Sequence, residues 1–373
     1  MISSRAILAT VALVLLLSVA PTFGQASIPN ETITSSDLTT AQKDVVKRLV
    51  DAHKEGLAGT FSEVKKARNA LLEPLQNQAV SVSFRLNYAQ LLVPVLRPLI
   101  ASEKEIVAIN ALRITGELAT TTSLDLLSDG LNDKRPGVRF AAVAGYEATF
   151  TALERTSPAI AQPSQATASI TNLKNKLSKE EDASVLDAFA LALQAASKVP
   201  SRKLDGVRGA AITTLSEAMS AKAQTATDGK YDAAFRRSAN AARNALTATD
   251  EPTLPRAALI AATGLGGDLL AGVSRRIKSG ELAVGVVGDL EEAALKKKRA
   301  EIALLVADSE RTIQWASTGL GAPGANDFKL SELLLQGKDD AFQTEVLRLI
   351  GANGSLTTTN YGFGDQRFIK GGG

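Results

Sequence analysis

The sequence predicts an all-α protein, built as an irregular α-solenoid of antiparallel helix pairs. From about residue 39 to residue 350, apolar residues recur at the three-to-four-residue spacing of amphipathic helices. Short turns rich in Gly, Pro, Asp and Asn separate these segments. Runs that alternate apolar and polar residues, as strands require, are missing from the same stretch.

Residues 1–26 have the pattern of a cleaved secretory signal peptide. Arg5 precedes the apolar run "ILATVALVLLLSVA" (7–20), and small residues follow around Gly24 and Ala26. An uncleaved anchor is the alternative, but the run is shorter than the roughly 18–20 apolar residues that span a bilayer. We therefore expect an exported protein, periplasmic or extracellular, cleaved after Gly24 or before Ser27 and not stably inserted in the membrane afterwards.

Composition argues against several classes of function. The chain has no cysteine, which excludes disulfides, thiol catalysis and Cys-based zinc sites. Its single histidine, His53, cannot form a multi-histidine metal site and lies on the apolar side of its predicted helix, so we expect a structural role. With a net charge of +3 and only 4% aromatic residues, the chain has neither the basic surface nor the stacking rings that nucleic acids need.

The predicted elements begin after a short polar stretch. Residues 27–38 are turn-rich and predict a flexible leader to a repeat domain that covers 39–350. The first helix should begin at Thr39, because Gln42 stands three residues later as in a capping box. Further on, "RTSPAIAQPSQATAS" (155–169) predicts a projecting loop, and the Ala/Leu-rich segment 181–197 predicts a helix.

Internal repetition supports the solenoid. The segments 96–116 and 127–147 both read helix, polar turn and helix, and Leu99 matches Leu131 and Ile106 matches Val138 at an offset of 32 residues. The words "KRPGVRFAAVAGY" (134–146) and "KLDGVRGAAITTL" (203–215) share Gly-Val-Arg and an Ala pair, and 330–354 again reads helix, charged turn, helix, glycine stop. The sequence pattern of residues 127–150 resembles the HEAT-like repeats of bacterial proteins, including the short PBS-lyase-like type. That resemblance implies stacked helix pairs and a scaffold or adaptor role.

Three other motifs have ordinary structural explanations. "GLGAPG" (319–324) matches a dinucleotide-binding pattern in letters, but a helix rather than a strand precedes it. "GLGGDLLAGV" (264–273) lacks the Lys-Ser/Thr of a phosphate-binding loop, so its glycines predict close packing or a helix stop. The basic run in 295–305 follows "DLEEA" and predicts a solvated helix face with i,i+4 ion pairs.

After Gly351 the helical pattern ends. The segment 351–373 is rich in Gly and Thr, and we expect a disordered tail. The alternative is a docking segment, because Tyr361, Phe363 and Phe368 alternate with basic residues.

These observations predict an exported scaffold or adaptor that binds other proteins and has no catalytic residues, cofactor or metal. The alternative is an all-α periplasmic or surface hydrolase with a carboxylate pair that the sequence does not reveal. Four arginines at or near the starts of Ala-rich helices are the candidates for partner binding: Arg139, Arg236, Arg237 and Arg243. They could instead bridge neighbouring repeats, in which case they would serve stability.

Overall fold

The computed structural model describes residues 27–156, 162–283, 289–321, 329–358 and 361–369. Within these ranges the regular structure is helical and there is no β-strand, which confirms the predicted all-α class. The α-helices in chain order are α1 (Asn30–Thr34), α2 (Thr40–His53), α3 (Phe61–Leu72), α4 (Val82–Ile100), α5 (Glu105–Leu118), α6 (Thr121–Gly130), α7 (Pro136–Arg155), α8 (Pro163–Leu177), α9 (Ala183–Ala196), α10 (Val207–Thr225), α11 (Asp232–Thr247), α12 (Arg256–Lys278), α13 (Asp289–Gly319), α14 (Leu330–Leu335), α15 (Asp339–Ile350) and α16 (Ser355–Thr358). The predicted signal peptide lies outside the described residues.

Local sequence signals set several helix boundaries. Thr39 caps α2, and its side chain and that of Gln42 make the two hydrogen bonds of the predicted capping box. Pro136 occupies the first turn of α7. Backbone N–H groups in the first turn have no partner within the helix, so the N–H that proline lacks costs no hydrogen bond there. Gly351 follows α15 directly, as the glycine stop predicts.

Alternate helices pack against one another in two rows. One row contains α3, α5, α7, α9, α11 and α13, in which each helix contacts the next member of the row. The other row contains α4, α6, α8, α10, α12 and α15, and helices adjacent in the chain connect the two rows. The apolar side chains between the rows form a main buried cluster that extends from Ile28 to Phe368. A smaller second cluster lies among α10, α11 and α12 and includes Ile212, Ala242 and Leu259.

The 32-residue offset corresponds to direct contacts between α5 and α7. The two helices approach so closely that a Cβ on Gly116 would lie 2.5 Å from the Cα of Gly145. Thr149 donates a hydrogen bond of 2.9 Å to the Gly116 carbonyl across the same contact. In the turns before these helices, the Arg135 side chain donates to the carbonyls of Ser102 and Glu103. Equivalent segments are therefore also spatial neighbours.

The similarity between 134–146 and 203–215 does not correspond to an equivalent position. Val138 belongs to α7 and Val207 to α10, and these helices lie in different rows. The next helix in the row of α9 is α11, and Arg237 of α11 binds Asp187 of α9 at an offset of 50 residues. The shared letters reflect the common needs of an Ala-rich helix start.

The predicted projecting loop 155–169 is only partly correct, because α8 begins at Pro163. Pro163 stands in the first turn of this helix, and Ala166, Ser169 and Ile170 are buried. Proline is a common residue of loops, but it also favours the first turn of a helix, as Pro163 does here. Residues 157–161 lie outside the described part of the chain.

The segment 27–38 differs from the expected flexible leader. It contains the short helix α1, and Ile28, Ile33 and Leu38 are buried. The Ser81 N–H donates to the Ile33 carbonyl at 3.0 Å, just before α4. Ile28 and Ile33 belong to the main apolar cluster, so their burial attaches this polar segment to the helical core.

The described part of the C-terminal segment is also packed, contrary to the disordered tail we expected. Tyr361, Phe363 and Phe368 are buried in the main apolar cluster. A Cβ on Gly267 of α12 would lie 2.6 Å from the Phe368 ring, so the glycines of 264–273 give these rings room. This agrees with close packing by the glycines and with the docking alternative for the segment.

Helix α12 is long and apolar enough to cross a membrane, but it lies inside the fold. Of its most apolar 18-residue window, 78% is buried, and it packs against α10, α13 and α15. Asp268, in the middle of the helix, is also buried. These contacts are those of a core helix.

Candidate partner-binding cleft

A cleft of about 460 Å³ opens between α11 and α13. Four arginines, one aspartate and two apolar residues form most of its lining: Arg236, Arg237, Arg243, Arg311, Asp308, Leu304 and Ala307. Three of the four arginines singled out in the sequence therefore come together in one place.

Helical spacing explains how these side chains meet. On α11, Arg236, Arg237 and Arg243 lie within two turns on one side of the helix. On α13, Leu304, Asp308 and Arg311 follow at intervals of four and three residues, which also gives a single side. Because α11 and α13 are neighbours in one row, the two sides face the same cleft.

Two of the arginines form ion pairs with neighbouring helices. The Arg237 guanidinium binds the Asp187 carboxylate of α9 through two hydrogen bonds of 2.7 and 2.9 Å. Arg243 donates to Asp308 of α13 at 2.5 Å. These pairs connect successive helices of the row and hold the cleft walls in place, as the bridging alternative expects.

The other two arginines are exposed. Arg236 and Arg311 form no ion pair with another residue in the described ranges. Each presents a guanidinium with several N–H donors to the solvent of the cleft. They are the groups here that can bind an incoming anion without first breaking an internal bond.

Large apolar side chains on α13 are exposed beside these charges. Leu304 is 56% exposed, and Trp315, one turn beyond Arg311 on the same side of the helix, is 49% exposed. Trp315 is the only tryptophan of the chain. An exposed Trp next to exposed arginines is the composition found at the energetic centres of protein interfaces.

Arg139, the fourth candidate, lies away from this cleft. Its guanidinium binds both oxygens of Glu180, in the turn before α9, at 2.8 and 2.9 Å. It also donates to the carbonyls of Asp133 and Lys134 in the turn before its own helix. These contacts tie two successive turns together and fit the bridging alternative.

A second cleft of about 350 Å³ lies next to the first and shares Gln194 of α9 with it. It brings together three carboxylates, those of Glu154, Asp250 and Glu251. Three cations line the same cleft, and Glu251 accepts a hydrogen bond from the Ser201 N–H at 3.0 Å. This hydrogen bond connects the loop around residue 200 to the segment that follows α11.

The remaining sequence candidates fall outside both clefts. His53 is half-buried at the end of α2, and burial, together with Lys66, lowers its pKa. In the described ranges no group of three or more His, Cys, Asp or Glu side chains could hold a metal ion. "GLGAPG" lies partly outside the described residues, and its described part ends α13.

The basic run of α13 divides between solvent and core. Lys296 pairs with Glu292 one turn earlier at 2.7 Å, as the i,i+4 pattern predicts. Arg299, in contrast, is buried and binds Asp339 at 2.6 Å as well as the Leu334 carbonyl. The solvated-face prediction is correct for Lys296 and wrong for Arg299, because α13 also packs against α14.

No protein-family model matches the chain, and no curated protein matches it. Among solved structures, the chain is similar to the crystal structure of an engineered protein at 15% identity. The match covers 93% of this chain and 97% of the other, with a TM-score of 0.26.

Proposed function

We propose that the protein is an exported helical-repeat scaffold that binds another protein through the cleft between α11 and α13. The observation that carries the proposal is the meeting of two exposed arginines, Arg236 and Arg311, with the exposed Leu304 and Trp315. Protein interfaces are enriched in Arg and Trp, and a few such residues supply most of the binding energy.

The arrangement of helices supports a scaffold. Packing of every second helix along a row is what stacked helix pairs produce, and the 127–150 segment resembles a HEAT-like repeat. In such a protein each unit contacts mainly its neighbours, so the array presents an extended side for binding. The row that contains α7, α9, α11 and α13 has two adjacent clefts along this side.

Scattered apolar side chains extend the same side beyond the clefts. Ile106 on α5, Phe140 on α7 and Leu191 on α9 are each at least 37% exposed. Single exposed apolar residues are normal on soluble proteins. Their repetition on successive helices of the row that holds the arginine cleft supports an extended interface.

Photocrosslinking tests the proposal directly. A benzophenone amino acid at Leu304 should crosslink a discrete protein in the native exported fraction, whereas the same group at Leu347 should not. Leu347 is similarly exposed, at 49%, but lies on α15 in the other row. Equal labelling at both positions, or no adduct at Leu304, would contradict a partner site at the cleft.

A further inference from the structure

We infer that the cleft between α11 and α13 binds a short acidic segment of a protein through two carboxylates, one at Arg236 and one at Arg311. This inference rests on the proposed scaffold function and specifies the chemistry of its partner.

The charges of the cleft define the number of anions it can accept. Its four arginines face two internal carboxylates, Asp308 within the cleft and Asp187 behind Arg237. Those two acids are already hydrogen-bonded to Arg243 and Arg237. The charge left without an internal partner is therefore that of Arg236 and Arg311, which corresponds to two monoanions.

A guanidinium matches a carboxylate well. Its parallel N–H groups can donate to both carboxylate oxygens at once, and this geometry adds specificity to the Coulomb attraction. Arg236 and Arg311 come from different helices that pack together and are also linked by the Arg243–Asp308 ion pair. The two acceptor positions are thus held by packed helices, which reduces the ordering cost of binding.

The surroundings favour an acidic peptide over a polyphosphate or a nucleic acid. The neighbouring cleft contains Glu154, Asp250 and Glu251 beside three cations, so the positive potential does not continue along the row. A long polyanion needs a continuous basic track to neutralise its phosphates. Two carboxylates on a short peptide need only the pair of arginines.

The apolar residues of the cleft also suit a peptide. Leu304 and Ala307 line the same cleft and can contact the methylene groups of Glu or Asp side chains. Trp315 can cover the backbone or an apolar neighbour in the segment, because aromatic rings contribute large contact areas at little entropic cost. The inferred ligand is therefore an acidic segment with at least one apolar residue, rather than a free anion.

The single tryptophan, Trp315, lies one helical turn beyond Arg311, so its fluorescence can report binding in the cleft. We expect the acidic peptide "EELEEL", which contains no tryptophan and is capped at both ends, to change the fluorescence of Trp315 when it is titrated into the full mature protein. The matched peptide "QQLQQL" should bind at least about tenfold more weakly, and added salt should weaken only the acidic peptide. Equal binding of the two peptides would overturn the inference, and so would tripolyphosphate competing better than the acidic peptide.

The variant R236E/R311E should lower affinity for the acidic peptide at least about tenfold, since it places like charges at both positions. The control K296E/K297E makes the same change of charge at exposed positions of α13 outside the cleft. If R236E/R311E folds normally and its affinity for the acidic peptide is unchanged, the inference is overturned. If the Leu304 crosslinker still captures a partner in that case, the scaffold function stands and only the acidic ligand is wrong; if capture fails in the wild type, the function itself is wrong.

Discussion

The Arg367 guanidinium lies 2.9 Å from the carboxylate of Asp268, which stands 99 residues earlier in the chain. The Asp268 side chain is 1% exposed and lies in the middle of α12. It also accepts hydrogen bonds from Ser220 and Gln224. Burial raises the pKa of Asp268, while Arg367 and these hydrogen bonds act in the opposite direction. The C-terminal segment thus supplies the counterion of a buried acid in the core.

R367A should therefore lower the free energy of unfolding by about 3 kcal/mol at pH 7, because it leaves a buried carboxylate without its counterion. Urea denaturation measures this. The double variant D268N/R367A should recover much of the loss, since a neutral amide does not need the cation. Additive effects of the two substitutions would contradict this account of the pair.

The pH dependence of the R367A defect has a definite sign. A carboxyl whose pKa is higher in the folded than in the unfolded chain stabilises the fold below its unfolded value, and this contribution disappears as pH rises through the folded value. The stability gap between R367A and wild type should therefore narrow on acidification, as Asp268 becomes protonated. A gap that widens on acidification would show that another group dominates.

Replacing Gly267 or Gly272 of α12 by alanine should change the stability of the protein in opposite directions. A Cβ on Gly267 would lie 2.6 Å from the buried Phe368 ring, so G267A should displace the C-terminal segment. A Cβ on Gly272 would find its nearest neighbours at 3.7 and 3.9 Å, which is ordinary contact. G272A should then stabilise the protein by about 0.5–1 kcal/mol, as alanine does inside a helix.

Limited proteolysis and thermal melting together check this pair of variants. Faster cleavage within residues 361–369 of G267A, with G272A as resistant as wild type, is the expected result. If both variants behave alike, the glycines of α12 do not serve the packing of the C-terminal segment.

The sequence predicts what local interactions determine and fails where distant segments meet. The capping box at Thr39 and the helix start at Pro136 depend on a few adjacent residues, and both are correct. The packing of Phe368 depends on glycines about 100 residues away, and no helical or strand periodicity marks the segment that carries it. Its three aromatic residues were the available signal, and they were outweighed by the Gly-rich composition.

For the same reason, the sequence predicts the α11 side of the cleft but not the α13 side. Arg236, Arg237 and Arg243 share one predicted helix, so their common side could be expected from spacing alone. Arg311 was missed because its helix meets α11 only through the packing of the row. The spacing of Leu304, Asp308, Arg311 and Trp315 on one side of α13 was the signal that could have identified it.

The Arg139–Glu180 pair gives a pH prediction of opposite sign. Burial alone would raise the pKa of Glu180, but the hydrogen bonds from Arg139 and from backbone N–H groups outweigh it, and the pKa is lowered. A group with a lowered pKa stabilises the fold above its unfolded value, and this contribution is lost as pH falls through the folded value.

E180Q should therefore cost about 2 kcal/mol at pH 7, and its difference from wild type should shrink as pH falls below the ordinary glutamate value of 4.5. E217Q is the control, since Glu217 and its partner Lys174 are both 46% exposed and such pairs contribute less than about 1 kcal/mol. Urea denaturation at several pH values measures both. A pH-independent E180Q defect would assign its effect to packing.

The proposed export predicts a defined mature N-terminus. We expect the exported protein to begin at or near Gln25 or Ser27, since small residues at the cleavage site precede the buried Ile28. Intact-mass measurement on the native protein checks this. Residues 1–24 retained on protein in the membrane fraction would identify the segment as an anchor.

The most direct test of the central claim compares binding and stability in matched arginine variants. R236E/R311E should keep the wild-type melting temperature within a few degrees and lose at least about tenfold in affinity for the partner captured at Leu304. R237E should instead lower the melting temperature, because it breaks the ion pair with Asp187 and leaves like charges in its place. A folded R236E/R311E that binds this partner as tightly as wild type would contradict Arg236 and Arg311 as the binding groups of the cleft.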